Sequence, residues 1–168
     1  IDELAAYAIE MQTNYIKHDR VRYQLQPYGD MSESQPDFTI SQNVTIPEHV
    51  EMHLYGNRNF ILAENCTLTV NGNLYIASPF VLNGTIVNNQ NVNVSYKPND
   101  PHVNDNGSIT LGTNGCFTGD GYFSINVDST VLSIDSVLIG FNLDEYDVQE
   151  DVRDDGSKQW TIKYAGGL

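Results

Sequence analysis

Positive charge is scarce in this chain: 8 Lys and Arg stand against 22 Asp and Glu in 168 residues, a formal net charge of −14 at pH 7. From Glu64 to Asn142 the sole basic side chain of those two types is Lys97. Nucleic acid and anionic membrane surfaces both require a basic footprint, so neither is expected as a partner. Long apolar runs are missing as well. The longest, such as Val137-Leu138-Ile139, are strand-sized and far short of the roughly 20 residues that span a bilayer, so membrane insertion is not expected. The two cysteines, Cys66 and Cys116, are too few for a disulfide framework. They are expected as buried free thiols in neighbouring coils, with a disulfide between them as the alternative if export exposes them to oxidant. No CxxC or clustered His accompanies them, and a strand would hold His49 and His53 more than about 10 Å apart, so zinc is not expected. The sequence opens at Ile1 with no Met or signal-type apolar segment, which suggests a processed or shortened chain.

Hydrophobic residues nonetheless make up 40% of the chain, enough for one domain over 1–168 with a real core. They are grouped in short runs: Phe38/Ile40, Val44/Ile46, Val50/Met52/Leu54, Phe60/Leu62, Leu68/Val70, Leu74/Ile76, Phe80/Leu82, Val92/Val94, Ile109/Leu111, Phe123/Ile125 and Val137/Ile139. Each run alternates with period two, which turns one face inward; a helix would need period 3.6. Asn71-Gly72, Asn83-Gly84 and Asn106-Gly107 lie between runs and supply residues that tolerate positive φ at bends. Runs of only a few residues, with turns returning at nearly constant intervals, favour short strands on successive sides of a coil over hairpins of a sandwich or jelly roll. The fold class is therefore expected to be all-β, a β-solenoid of roughly four to six coils over 38–143. Fourteen Asn lie between Asn57 and Asn114, and their side chains are expected to stack at the coil corners.

The ends read differently. Ile1, Leu4, Ala5, Ala8, Ile9 and Ile16 follow helical spacing, with Asp2 as a cap and Lys17, His18 and Arg20 at the far end, so 1–20 is expected to be an α-helix that lids the open end of the solenoid. Residues 21–37 read as a connector or an irregular first coil. The 97–106 segment interrupts the repeat as an excursion where a binding surface could sit. Over 144–168 an acidic loop leads through Asp155-Gly156 into the alternating Trp160-Thr161-Ile162-Lys163-Tyr164, a closing hairpin or edge strand.

The stretches Cys66-Thr67-Leu68-Thr69-Val70-Asn71-Gly72-Asn73-Leu74-Tyr75-Ile76 and Val81-Leu82-Asn83-Gly84-Thr85-Ile86-Val87-Asn88-Asn89 resemble the repeats of bacterial secreted and cell-surface β-helix proteins of the pectin-lyase-like type. The resemblance covers about residues 38–141 and carries no catalytic residue. It implies a single-stranded, right-handed parallel β-helix and an extracellular or cell-surface location. The expected role is a noncatalytic module for adhesion, binding or structural spacing, with a glycan or a surface protein as partner.

The alternative is a carbohydrate-active enzyme, a polysaccharide lyase or glycoside hydrolase, using wall carboxylates. Asp120, Asp128 and Asp135 are its candidates, since a pair of carboxylates can do general acid and base work. The near absence of Lys and Arg around them leaves a lyase without an evident base. Asp151, Asp154 and Asp155 are weak candidates for calcium, which takes several carboxylate oxygens, although Arg153 interrupts them and the EF-hand spacing fails. A solvated charged loop is the simpler expectation for them. Tyr55, Tyr75, Tyr96 and Tyr122 could stack on sugars if they shared an outward face. Sequons at Asn43, Asn65, Asn83, Asn93 and Asn106 would be glycan acceptors only in a eukaryotic secreted protein.

Overall fold

The computed structural model describes residues 11–17, 20–25, 36–55, 58–103 and 105–164, the first two stretches as backbone alone. The described chain is all-β. Strands β1 (Met11–Lys17) and β2 (Arg20–Leu25) come first. Four rounds of three follow: β3 (Phe38–Ile40), β4 (Val44–Ile46), β5 (Val50–Leu54); β6 (Phe60–Leu62), β7 (Thr67–Val70), β8 (Asn73–Ile76); β9 (Pro79–Leu82), β10 (Thr85–Asn88), β11 (Asn91–Tyr96); and β12 (Ser108–Leu111), β13 (Cys116–Thr118), β14 (Tyr122–Val127). The chain ends with β15 (Leu138–Ile139), β16 (Tyr146–Val152) and β17 (Lys158–Tyr164).

Through these rounds every third strand pairs in parallel, so the chain visits three sheets in turn. One sheet runs β3-β6-β9-β12-β15, a second β4-β7-β10-β13, and the third contains β2-β5-β8-β11-β14. The register sets like on like. Phe38 lies beside Phe60, Phe60 beside Phe80, Phe80 beside Ile109 and Ile109 beside Leu138. In the third sheet Met52, Leu74, Val92 and Phe123 form one such row and Leu54, Ile76, Val94 and Ile125 another. These inward side chains from all three sheets make one continuous hydrophobic cluster, and most are fully buried. Between them, outward residues alternate, as the period-two pattern requires.

The corners use asparagine and glycine for different purposes. Asn89 donates to Asn71 at 2.9 Å and Asn91 to Asn73 at 3.0 Å, each pair 18 residues apart, so the amides stack as expected. Asn93, within β11, makes two bonds to β14, donating to Ser124 Oγ at 2.8 Å and accepting from Asn126 at 3.3 Å. The row through Asn73 and Asn91 meets Tyr122 next, which has no amide to give, and Asn91 Oδ1 is buried without a hydrogen-bond partner. Gly72 and Gly84 do not adopt the positive φ that the sequence suggests for them. Glycine is needed because the preceding round passes too close: a Cβ on Gly84 would lie 2.3 Å from Cys66 O and 2.4 Å from Ala63 O.

Two expectations for the ends are corrected. Met11–Lys17, in the second half of the expected capping helix, is a strand antiparallel to β2, and β2 continues the third sheet by parallel pairing with β5, Val21 opposite Val50 through Leu25 opposite Leu54. An open sheet edge offers a row of backbone partners, and Thr13, Tyr15 and Ile16 are strand-favouring residues, so edge pairing overrides the helical spacing of a few apolar positions. Residues 1–10, the first half of that helix, lie outside the described residues. β2 occupies the start of the segment read as a connector or irregular first coil, and its pairing fits the second of those. The acidic stretch also differs from the expected loop: 146–152 is the edge strand β16, antiparallel to β17. The closing hairpin itself is present, with Arg153 N–H donating to Ser157 O at 2.8 Å and Gly156 at φ 85° in the turn. β17 joins the third sheet antiparallel to β14, placing Trp160 beside Ile125 and Ile162 beside Phe123, both buried.

Leu68 is fully buried between Val44 and Ile86. Replacing it with Ala is expected to cost about 2 to 5 kcal/mol in equilibrium denaturant unfolding, and a loss under half a kcal/mol would contradict its place in the core. Gly84→Ala, which must displace backbone of the preceding round, is expected to lower the melting temperature strongly or to prevent folding.

Candidate functional site

The three candidate wall carboxylates are not assembled into one site. Asp120 is exposed in the turn before β14, while Asp128 follows the end of that strand. Six extended residues between them span about 20 Å, well beyond the roughly 5 to 9.5 Å that separates working glycosidase carboxylates. Asp128 is committed to its own turn: it accepts Asn99 N–H at 2.8 Å, Thr130 N–H at 2.8 Å and the Thr130 hydroxyl. Desolvation pushes its pKa up, but the hydrogen bonds from the Thr130 hydroxyl and from the N–H groups of Asn99, Thr130 and Val131 together outweigh it and hold the carboxyl below the usual range. Asp135 sits in a short 3-10 helix, Ile134–Ser136, where Ser133 Oγ accepts its N–H.

Those contacts build a groove. The 97–106 excursion is closed at its base by Lys97 N–H to Asp105 O at 3.0 Å and Gly107 N–H to Ser95 O at 2.8 Å. Asn99 then ties its tip to the segment after β14, through Asp128 and through Thr130 Oγ1 at 2.9 Å. Between loop and segment lies an open recess of about 500 Å³, with Tyr96, Pro98 and Leu132 as its apolar lining and Thr130, Ser133 and Ser136 as its hydroxyls. Leu132 is 82% exposed. The sequence singles out the loop, and in its partner segment Asp128 and Asp135 as candidate carboxylates, but not Thr130 or the tie to Asn99, because Thr130 reads as an ordinary turn residue.

A smaller recess of about 160 Å³ lies at the opposite end of β14, where the closing hairpin meets the last full round. Phe117 stacks on Phe123 with centroids 4.5 Å apart, and Tyr146 meets Tyr164 edge-on at 5.4 Å. Phe141 bridges the two pairs, 6.4 Å from Phe117 and 6.3 Å from Tyr146. Asp120 and Lys163 lie on the lining beside Gly119 and Gly121. Burial raises the pKa of the Tyr146 hydroxyl, and the charge of Glu145 adds to it, so the phenol stays protonated. Of the sequence candidates Asp120 alone belongs here. The aromatic residues are spread from 117 to 164, and only the antiparallel return of β17 brings them together.

The other candidates are dispersed. Asp151 lies on β16 opposite Gln159, and Asp155 accepts both the Ser157 hydroxyl at 2.6 Å and the Ser157 N–H at 2.9 Å, contacts that lower its pKa. Among the described residues no three His, Cys, Asp or Glu side chains converge as a metal site. Of the four tyrosines, Tyr55, Tyr75 and Tyr122 lie on the outer face of the third sheet and Tyr96 packs inward. Tyr75 stacks on His53 at 4.4 Å and Tyr55 O–H lies 3.2 Å from His53 Nδ1, while Tyr96 packs on the core and Tyr122 is 51% exposed beside Gln159. His53 is itself 5% exposed, with Glu51 Oε2 3.3 Å from its Nε2. Both cysteines are free and neither is buried as expected: Cys66 is half-buried and Cys116 exposed. Cys116 pairs with Thr85, and Thr85 with Thr67 next to Cys66, so the thiols are two strand spacings apart, about 9.5 Å, where a disulfide needs Cα atoms under about 7 Å. They are therefore not in neighbouring rounds.

The Asp128 hydrogen bonds have a pH signature. A carboxylate whose folded pKa is depressed adds stability above its unfolded pKa and loses it as pH falls through the folded value. The melting temperature of Asp128→Asn is expected to lie below that of the parent at neutral pH, with the gap closing as the pH drops below the usual carboxylate range. A gap independent of pH would show that the charge contributes nothing.

No family model, no curated protein and no solved structure matches the chain.

Proposed function

We propose that this chain is a noncatalytic β-solenoid module, right-handed and secreted or displayed at a cell surface, that binds a glycan or a surface protein through the groove beside the 97–106 loop. The observation that carries this reading is the rotation of successive strands through three parallel sheets around one hydrophobic cluster. Parallel strands of one sheet are joined by right-handed crossovers in about 98% of cases, which supports the handedness. Such a stack is a stiff scaffold, and function on a scaffold belongs to what departs from the repeat. The largest departure is the 97–106 excursion, tied down by Asn99 and facing Leu132 across the groove.

Catalysis is the weaker reading of the same surface. Asp120 and Asp128 stand at opposite ends of one strand, and Asp128 is occupied by its own turn. The groove combines apolar contact with neutral hydroxyls, a lining for complementarity without a reacting group. A net charge of −14 turns away polyanions and favours neutral or cationic partners. The extracellular location rests on the resemblance of the repeats; among the described residues no helix is long and apolar enough to cross a membrane.

Binding to immobilised neutral polysaccharides and to intact cell surfaces tests the reading. Leu132→Asp is expected to weaken retention at least about tenfold, a loss of about 1.4 kcal/mol, while the melting temperature holds because the side chain is exposed. Release of reducing ends or unsaturated uronates from any polysaccharide, abolished by Asp128→Asn, would replace binding with catalysis.

A further inference from the structure

The geometry points to a second site, in the aromatic recess between the last round and the closing hairpin: we infer that it holds a single neutral pyranose ring, such as the end residue of a glycan. It lies across the length of β14 from the 97–106 groove and does not depend on that groove binding anything. Three features select the occupant.

The first is size. A recess of about 160 Å³ falls below the roughly 300 Å³ at which drug-sized ligand sites begin, so it takes one ring and leaves the rest of a chain outside. The second is surface. Phe117, Tyr146 and Tyr164 give ring faces and edges to an apolar ligand face, and Tyr164 is 54% exposed, so this wall is open to solvent and rigid once Tyr146 supports it.

Charge is the third and the most selective. Aromatic walls alone would suit a quaternary ammonium, but Lys163 on the same lining opposes a cation. Asp120, backed by the acidic surplus of the whole chain, opposes an anion. An acceptor and a donor on the lining together match a ligand that both donates and accepts without net charge. A pyranose does so along its hydroxyl edge while its C–H face lies on the rings. The Tyr146 phenol, kept protonated by burial and by Glu145, adds a further hydroxyl to the enclosure.

Two-dimensional amide NMR with methyl glucoside, methyl galactoside and methyl mannoside tests this directly. At least one is expected to shift the amides of Gly119, Gly121 and Lys163 while those of Leu132 and Ser133 stay in place. Tyr164→Ala and Asp120→Asn should each weaken that binding about tenfold. Unchanged Trp160 fluorescence and melting temperature will show that both variants are folded. The inference is overturned if none of the three glycosides shifts these amides, if Tyr164→Ala binds as well as the parent, or if tetramethylammonium or glucuronate binds more tightly than every neutral ring. Shifts at Leu132 alone would support the groove and reject this site.

Discussion

Each inward side chain in this protein rests against its counterpart one round along the chain, and the backbone spacing of a parallel pair, about 4.8 Å, admits no slack between them. A misfit in one row is felt by the rounds on both sides. Phenylalanine on phenylalanine from Phe38 to Phe80, or the Leu54, Ile76, Val94 and Ile125 row, satisfies the constraint with side chains that differ by little from one round to the next. The corners obey the same spacing. Gly84 is there because the preceding round's carbonyls occupy the place of a side chain, and the amides of Asn71 and Asn89 are there because they can bond to one another at that repeat. Where an asparagine turns inward, as Asn88 does, its amide is taken up by Tyr122 O and Gln90 N–H.

Variation is confined to segments that the stacking does not govern. The spacing between partner strands is 18 residues from Thr67 to Thr85 and 31 from Thr85 to Cys116 (85 − 67 and 116 − 85), the surplus going into the excursion after β11. Both recesses are products of the same local circumstance. β14 is the last strand of the parallel series in its sheet, and beyond it only the two-residue β15 continues the repeat, so both ends of β14 border on segments that depart from it. At one end that structure is the tethered 97–106 loop and at the other the aromatic residues of the closing hairpin.

The rounds were legible in the sequence because burial in a strand has a period of two and the inward residues are large and apolar; Phe60, Leu62, Leu68 and Leu82 are all fully buried. The turn residues were legible too, although Gly72 and Gly84 answer to close approach and not to φ. The ends were harder. Met11–Lys17 holds only Ile16 of the helically spaced residues, beside the strand-favouring Thr13 and Tyr15, and the presence of an open sheet edge, a tertiary fact, decides for strand. The aromatic recess could not be read at all. Phe117, Phe141, Tyr146 and Tyr164 belong to separate segments, and their proximity follows from the antiparallel pairing of β17 with β14 and β16.

The two hairpins that finish the third sheet, β1 with β2 and β16 with β17, run one strand each against the direction of the stack. The other two sheets end on parallel strands with no such reversal among the described residues. Extension of all three sheets at once by a second copy requires partners of the right direction in each of them. At one end of the third sheet the outer strand, β1, is reversed and offers such a copy the wrong direction, much as a single blocked end group stops a polymer whose other bonds remain able to react; at the other end β17 is reversed and the outer strand β16 runs with the stack again. The acidic side chains of β16, Asp147, Glu150 and Asp151, add like-charge repulsion at that one wall.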